Sequence, residues 1–193
     1  MNLPQGSDYH GNGQFYSKTR KENDMINYKD IIQSYKNFPI EGIEYLDLNP
    51  LYKNPIYRDK LVADCMDKIV GMIPPTFDYI GVVESRGFLV GSILAHLLNK
   101  GLVLLRSKPG RLPGDTEKVS HTLEYGDSQM EVQTGRGSVL IFDDVLATGG
   151  TSQAAVDVLT MAGYDPIGAL FPVELTFLNP KISVPYRSVV KYE

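Results

Sequence analysis

The stretch that decides the fold runs Val139-Leu140-Ile141-Phe142-Asp143-Asp144-Val145-Leu146-Ala147-Thr148-Gly149-Gly150-Thr151-Ser152. Its first four residues are apolar without alternation, which is typical of a strand buried on both faces of a parallel sheet. Two carboxylates follow, and a loop of small residues then leads into a helix predicted from about Thr151 to Met161. Because ligands of open α/β sheets bind outside the carboxyl ends of the strands, a site is expected at this junction.

The small-residue loop has the properties of an anion site. Two adjacent glycines, Gly149 and Gly150, let backbone N–H groups approach a ligand closely. The loop also supplies hydroxyl donors, at Thr148, Thr151 and Ser152. The partial positive charge of a helix start favours a phosphate, whereas Asp143 and Asp144 suit hydroxyl groups, such as a ribose diol, or a metal ion. The alternative is a strand-to-helix turn with a threonine cap and two solvated aspartates.

The rest of the chain alternates strands and helices, which predicts a parallel sheet covered by helices on both faces. Further apolar runs predict strands at Tyr79–Val83, Leu102–Leu105, Pro166–Val173 and Ser188–Tyr192. A helix is predicted over Gly87–Asn99, and another begins at Pro55. In that second helix Leu61, Cys65, Ile69 and Met72 define a buried face.

Composition fits one ordinary globular domain. The chain has 193 residues, of which 42% are hydrophobic and 22% charged, with a net charge of -4. This mild acidity argues against a general nucleic-acid binder, and no apolar run is long enough to cross a bilayer. The single Cys65 excludes an intramolecular disulfide and fits the cytoplasm. We expect a flexible polar arm over 1–23 and one domain over 24–193, with a first helix within Met25–Tyr35.

The segment between the strands at Leu102–Leu105 and Ser138–Phe142 is predicted to contain a β-hairpin. Its arms are Glu117–Tyr125 and Gln129–Gln133, closed by Gly126-Asp127-Ser128. This hairpin is either an exposed surface feature or a lid that excludes water from a reactive intermediate.

The run from Asp143 to Thr151 resembles the phosphoribosyl-diphosphate signature of the type I phosphoribosyltransferases. Three further segments are similar to the adenine phosphoribosyltransferase family: Glu84-Ser85-Arg86-Gly87-Phe88, Lys108-Pro109-Gly110-Arg111-Leu112-Pro113-Gly114 and Leu123-Glu124-Tyr125-Gly126. The resemblance covers roughly Phe38 to the end. It implies an α/β fold with an open parallel sheet and flanking helices, a small N-terminal hood at about 36–50 and a flexible hairpin lid at about 107–133.

The resemblance also implies an activity: transfer of the 5-phosphoribosyl group from phosphoribosyl diphosphate to adenine, giving AMP and diphosphate. Ala147, Thr148, Gly149, Gly150 and Thr151 then bind the 5′-phosphate, and Asp143 and Asp144 the ribose hydroxyls. The resemblance implies that the diphosphate binds to Ser85, Arg86, Lys108, Arg111 and Tyr125. The catalytic residues are Glu124, which exchanges a proton with the purine, Arg86 and Tyr125. The purine base is expected to bind to Ile43, Glu44, Tyr45, Val145 and Leu175.

Partners and alternatives follow from the same resemblance. It implies a Mg²⁺ ion carried mainly by the diphosphate, without a dedicated protein site, and a homodimer. Leu46 and Ser107 stand where the family tends to have arginine. Leu46 therefore keeps open a different base, hypoxanthine or guanine. A non-catalytic regulator that binds phosphoribosyl diphosphate is the third reading.

Overall fold

The structure, a computed structural model, describes residues 26–72, 74, 76–123 and 126–193. The arm predicted over 1–23 lies outside these residues. The chain forms two units, one ending at Lys60 and the other beginning at Leu61. In the described part of the chain, no helix combines the length and the apolarity needed to span a membrane.

The first unit contains a short antiparallel hairpin. Its elements are α1 (Tyr28–Ile31), β1 (Gln33–Lys36), β2 (Glu44–Asp47), α2 (Asn49–Lys53) and the start of α3 (Pro55–Ile69). The helix predicted within Met25–Tyr35 is wrong beyond Ile31, because Tyr35 pairs with Tyr45 across β1 and β2. The apolar spacing there suits a helix, but strand pairing overrides this local preference.

Helix α3 begins at Pro55, as its sequence predicts. Leu61, Cys65 and Ile69 are buried, whereas Met72 follows the end of the helix and is only partly buried. Burial raises the pKa of the Cys65 thiol, which therefore stays protonated at neutral pH. Cys65 thus packs as a core residue.

The second unit contains a parallel sheet with its helices and a separate antiparallel hairpin. In chain order its elements after α3 are β3 (Tyr79–Val83), α4 (Gly87–Leu98), β4 (Gly101–Leu105), β5 (Thr116–Leu123), β6 (Gly126–Gln133), β7 (Gly137–Phe142), β8 (Val145–Leu146), α5 (Gly150–Met161), β9 (Tyr164–Leu175), a 3₁₀ turn (Thr176–Leu178) and β10 (Tyr186–Tyr192). The main strands run in the order β10-β9-β7-β3-β4, all parallel, and β8 pairs with β9.

Helices cover both faces of this sheet. Gly91 of α4 brings its backbone against Val82 and Phe142, where any side chain at position 91 would clash. Helix α5 packs on the opposite face, where Leu159 joins Val139 and Ile141 in the main core. Because strands β3 and β7 are buried on both faces, their sequences show no alternation of apolar and polar residues.

Strands β5 and β6 form the predicted hairpin, but its turn is not where the sequence places it. Leu123 pairs with Gly126, so β6 already begins at Gly126 and the Gly126-Asp127-Ser128 turn is wrong. Further along β6, Met130 and Val132 are fully buried and belong to the core that contains α5. The hairpin is therefore fixed to the core through Met130 and Val132 of β6.

Candidate active site

The sheet changes direction between β3 and β7. From β3 the chain continues outward to β4, whereas β9 and β10 extend the sheet on the other side of β7. In such folds a crevice opens at the carboxyl ends of the two diverging strands, and ligands bind there. Two polar loops occupy these ends: the arginine turn, 84–87 after β3, and the phosphate loop, 143–151 after β7.

The phosphate loop leads into α5 through a glycine in the left-handed region. Gly149 has a φ of 95°, and a Cβ there would overlap the carbonyl oxygen of Lys181. The backbone N–H of Lys181 donates to the carbonyl oxygen of Thr148 over 3.2 Å, and that of Gln153 to Gly149 over 2.8 Å. The loop is thus fixed by backbone contacts at the positive end of the α5 dipole.

The beginning of the loop is fastened to β9. The N–H of Val173 donates to the carbonyl oxygen of Asp144 over 3.1 Å, and Val145 pairs with Val173. Val145 is partly buried, and Leu175 is buried at the end of β9. These two predicted base-site residues therefore lie on adjacent strands, Val145 within the loop and Leu175 at the end of β9.

The two aspartates have different environments. Asp144 is 3% exposed and forms an ion pair with Arg86, whose Nε lies 2.7 Å from Oδ2 of Asp144. Asp143 is partly buried and accepts the N–H of Asp144 over 2.9 Å. Burial and the neighbouring charge of Asp144 together raise the pKa of Asp143 well above its usual range. The site therefore concentrates negative charge at a cost that a bound hydroxyl or cation would relieve.

The arginine turn lies against the phosphate loop. A Cβ at Gly87 would lie 2.9 Å from the carbonyl oxygen of Phe142 and 3.3 Å from Oδ1 of Asp143. Only glycine permits this approach without displacement. The Glu84–Ser85 peptide bond is cis, and the Ser85 side chain is exposed. The turn thus brings Gly87 against Asp143 and Arg86 against Asp144.

The Glu84 carboxylate accepts hydrogen bonds from, and forms ion pairs with, residues of the segment that follows β4. Its Oε2 accepts the N–H and the hydroxyl of Ser107 over 2.9 and 3.1 Å. Its Oε1 lies 3.1 Å from Nη1 of Arg111 and 3.3 Å from Nη2 of Arg106. Burial alone would raise the pKa of Glu84, but the Ser107 hydrogen bonds and both arginine charges outweigh it and lower the pKa.

Glu131 of β6 fixes the same segment from the hairpin. It is 1% exposed, and its Oε2 accepts the backbone N–H of Arg111 over 3.1 Å. Its Oε1 accepts the Thr116 hydroxyl over 3.2 Å and lies 3.4 Å from Nζ of Lys118. Burial would raise the pKa of Glu131, but these donors lower it. Arg111 is therefore fixed by its backbone and by its guanidinium group.

The remaining predicted site residues lie in the first unit, in the segment after β4 or outside the described residues. In the first unit, Glu44 and Tyr45 lie on β2, directly after Ile43, and the Tyr45 ring packs edge-on against Phe38 at 5.1 Å. Leu46 is buried, and Lys108 is exposed. Glu124 and Tyr125 lie outside the described residues.

Sequence reasoning gave no role to Glu84 or Glu131. A signal for Glu131 exists, because one carboxylate between Met130 and Val132 in a strand must find partners once these neighbours are buried. Glu84 has a weaker signal, since its partners Ser107 and Arg111 are 23 and 27 residues away.

An acidic pair and a glycine-containing phosphate loop at the switch point of a parallel sheet, next to an arginine turn, define a type I phosphoribosyltransferase. The adenine phosphoribosyltransferase of Nitrosopumilus maritimus is 40% identical over an alignment of 174 residues that covers 86% of this chain and 100% of that protein. That of Bdellovibrio bacteriovorus is 40% identical over 80% of this chain and 91% of its own length. The chain belongs to the adenine phosphoribosyltransferase family.

Solved structures agree with this assignment. The adenine phosphoribosyltransferase of Thermoanaerobacter pseudethanolicus superposes with a TM-score of 0.77 at 32% identity, covering 85% of this chain and 97% of its own. The Saccharomyces cerevisiae enzyme, in complex with adenine and an imino-altritol bisphosphate, gives a TM-score of 0.76 at 32% identity, covering 90% and 99%. No protein-family model matches the chain.

Proposed function

We propose that this protein transfers the 5-phosphoribosyl group of phosphoribosyl diphosphate to adenine, giving AMP and diphosphate in purine salvage. The observation that carries the proposal is the direct contact of two loops, through Gly87 against Asp143 and Arg86 against Asp144. Hydrogen-bond donors for phosphate oxygens thereby lie next to carboxylate acceptors for hydroxyl groups, as a phosphorylated sugar requires.

The phosphate loop binds the 5′-phosphate in this proposal. Residues 147–151 present backbone N–H groups and threonine hydroxyls at the start of α5, where the helix dipole favours an anion. Asp143 and Asp144 accept the ribose hydroxyls. Their negative charge also balances the positive charge that develops on the sugar in the transition state.

The diphosphate leaving group binds to the arginine turn and the base of the hairpin. Ser85, Arg86, Lys108, Arg111 and Tyr125 are the proposed donors, and the planar guanidinium groups suit phosphate oxygens. No cluster of three or more histidine, cysteine or acidic side chains that could hold a metal occurs among residues the structure describes. We assign Mg²⁺ to the diphosphate oxygens and water, with no cage of protein ligands.

In this proposal Val145 and Leu175 of the second unit contact the adenine base. The other expected base residues, Ile43, Glu44 and Tyr45, belong to the first unit, where the Tyr45 ring suits stacking on a purine. Glu124 exchanges a proton with the ring as its nitrogen attacks the sugar. Met130 and Val132 are core residues, so this part of β6 stays in place when the lid closes.

The sheet edge supports a homodimer. Strand β4 ends the sheet, and Leu102 and Leu104, on the sheet face that carries α4, are 44% and 40% exposed. Leu89 of the adjacent α4 is also exposed. An exposed apolar edge strand invites association, so we propose that a second copy covers it in the cytoplasm. Light scattering should give twice the chain mass, and Leu104→Lys should shift it toward the monomer; a monomeric wild type would refute the proposal.

Diphosphate release tests the activity. The protein is mixed with Mg²⁺ and phosphoribosyl diphosphate, and release is followed with adenine, hypoxanthine and guanine in parallel. We expect release with adenine. Release with another base alone would overturn the base assignment and point to the β2 segment around Leu46. Binding of phosphoribosyl diphosphate without release would favour the regulator reading.

A further inference from the structure

We infer that Glu84 is a positioning residue that aims Arg111 at the diphosphate of phosphoribosyl diphosphate. This inference rests on the proposed function, because it takes Arg111 as a diphosphate ligand. The Glu84 carboxylate is not itself a ligand of the diphosphate, since two like charges repel. It acts through the groups that it binds.

The geometry of the contact carries the inference. Oε1 of Glu84 lies 3.1 Å from Nη1 of Arg111, so the carboxylate sets where the far end of that side chain lies. The Arg111 side chain is 45% exposed, and an exposed arginine without such a partner would sample many rotamers. A guanidinium group has five N–H donors, so one bond to Glu84 leaves others for phosphate oxygens.

The backbone of Arg111 is fixed independently. Oε2 of Glu131 accepts its N–H over 3.1 Å, and the main chains of Arg106 and Glu131 exchange two hydrogen bonds of 2.9 Å. Glu131 therefore sets where the side chain begins, and Glu84 sets where it ends. Order at both ends reduces the entropy lost when an anion binds.

Glu84 also lies in the turn that carries Arg86. Arg86 is two residues along the chain and pairs with Asp144, whereas Glu84 pairs with Arg111. One short turn thus connects the acidic pair of the phosphate loop with the basic segment at the base of the hairpin. Because the Glu84 pKa is lowered, the carboxylate is charged at neutral pH.

A double-mutant cycle of Glu84→Gln and Arg111→Gln tests the inference. We expect Glu84→Gln to raise the KM for phosphoribosyl diphosphate about tenfold, equivalent to about 1.4 kcal/mol, with kcat changed less than about threefold and the KM for adenine unchanged. In the Arg111→Gln background, Glu84→Gln should have no further effect. Asp78→Asn is the matched control, because Asp78 accepts the N–H and hydroxyl of Ser138 over 2.7 and 2.9 Å at the opposite end of β3.

The inference is overturned if Glu84→Gln leaves this KM unchanged, or if its effect persists in full without Arg111. Should Glu84→Gln not fold, Arg111→Gln alone decides: the exposed side chain can be removed safely, and an unchanged KM would exclude Arg111 as a diphosphate ligand. A wild type that releases no diphosphate refutes the proposed function instead, so the two failures are distinct.

Discussion

The two ends of strand β3 use the same device for different purposes. Asp78 precedes the strand and accepts the N–H and hydroxyl of Ser138, and Glu84 follows it and accepts those of Ser107. At Asp78 these bonds tie β3 to the start of β7. At Glu84 two arginines join the carboxylate, and the neighbouring turn meets the acidic pair.

The difference teaches where this fold can carry charge. At the amino ends, Gly137 lets the backbone approach Asp78, much as Gly87 lets it approach Asp143 at the carboxyl ends. Both ends are closely packed. At the carboxyl ends, Arg106 and Arg111 help lower the pKa of Glu84 and Asp144 helps raise that of Asp143, and such groups of shifted pKa values are typical of functional sites. At the amino end, the hydrogen bonds from Ser138 are the main cause of the lowered pKa of Asp78.

Glycine replacements should separate the two ends most strongly. Gly149→Ala places a Cβ against Lys181 at a φ of 95°, so we expect kcat/KM to fall at least about 100-fold, as loss of anion contacts does. Gly137→Ala, at a φ of 121°, should cost about 1–3 kcal/mol of stability with an unchanged KM. Steady-state kinetics and urea unfolding measure both. A fully active Gly149→Ala would remove the phosphate loop from the site.

Replacing one carboxylate at each end should have opposite effects on stability, and only the replacement at the carboxyl end should lower activity. Burial and Asp144 raise the Asp143 pKa, so stability falls as pH rises from the ordinary value of 3.8 through the raised folded value, and Asp143→Asn removes this cost. We expect activity to fall about 10–100-fold while Tm rises about 2–4 °C. Asp78→Asn should lower Tm and leave activity unchanged. A lower Tm for Asp143→Asn would contradict this reading of the acidic pair.

Acid should affect both ends alike. The pKa values of Asp78, Glu84 and Glu131 are lowered in the folded chain, so their stabilisation is complete above their ordinary values of 3.8 and 4.5. It is lost as pH falls through the lower folded values. Urea unfolding between pH 6 and about 3 should show this decline. Glu131→Gln should flatten it, and an equally steep curve for that variant would exclude Glu131 as a contributor.

The sequence predicts most of the sheet because buried parallel strands are apolar throughout. Strands β3, β7 and β9 and helices α4 and α5 lie where these patterns indicate. Strand β1 was missed, because Ile31, Ile32 and Tyr35 also fit a helix. The hairpin turn was misplaced, because Gly126 is a turn residue by preference but pairs with Leu123.

The site shows the same division. Asp143 to Thr151 are contiguous, so one stretch of sequence contains their chemistry, and the order of strands brings Arg86 to them. The association of Glu84 with Arg111 and of Glu131 with the Arg111 backbone depends on side chains that meet only after β4 and β6 are in register. No local pattern encodes those distances.

Burial of Met130 and Val132 has a consequence for how the molecule opens. These side chains lie in the core with α5, and the neighbouring Glu131 main chain bonds to Arg106. Backbone amides in this part of β6 should therefore exchange hydrogen with solvent only when the whole unit unfolds. Ser120 and Gln129 are exposed, so their amides should exchange through smaller openings. The hairpin thus contains the boundary between global unfolding and local fluctuation.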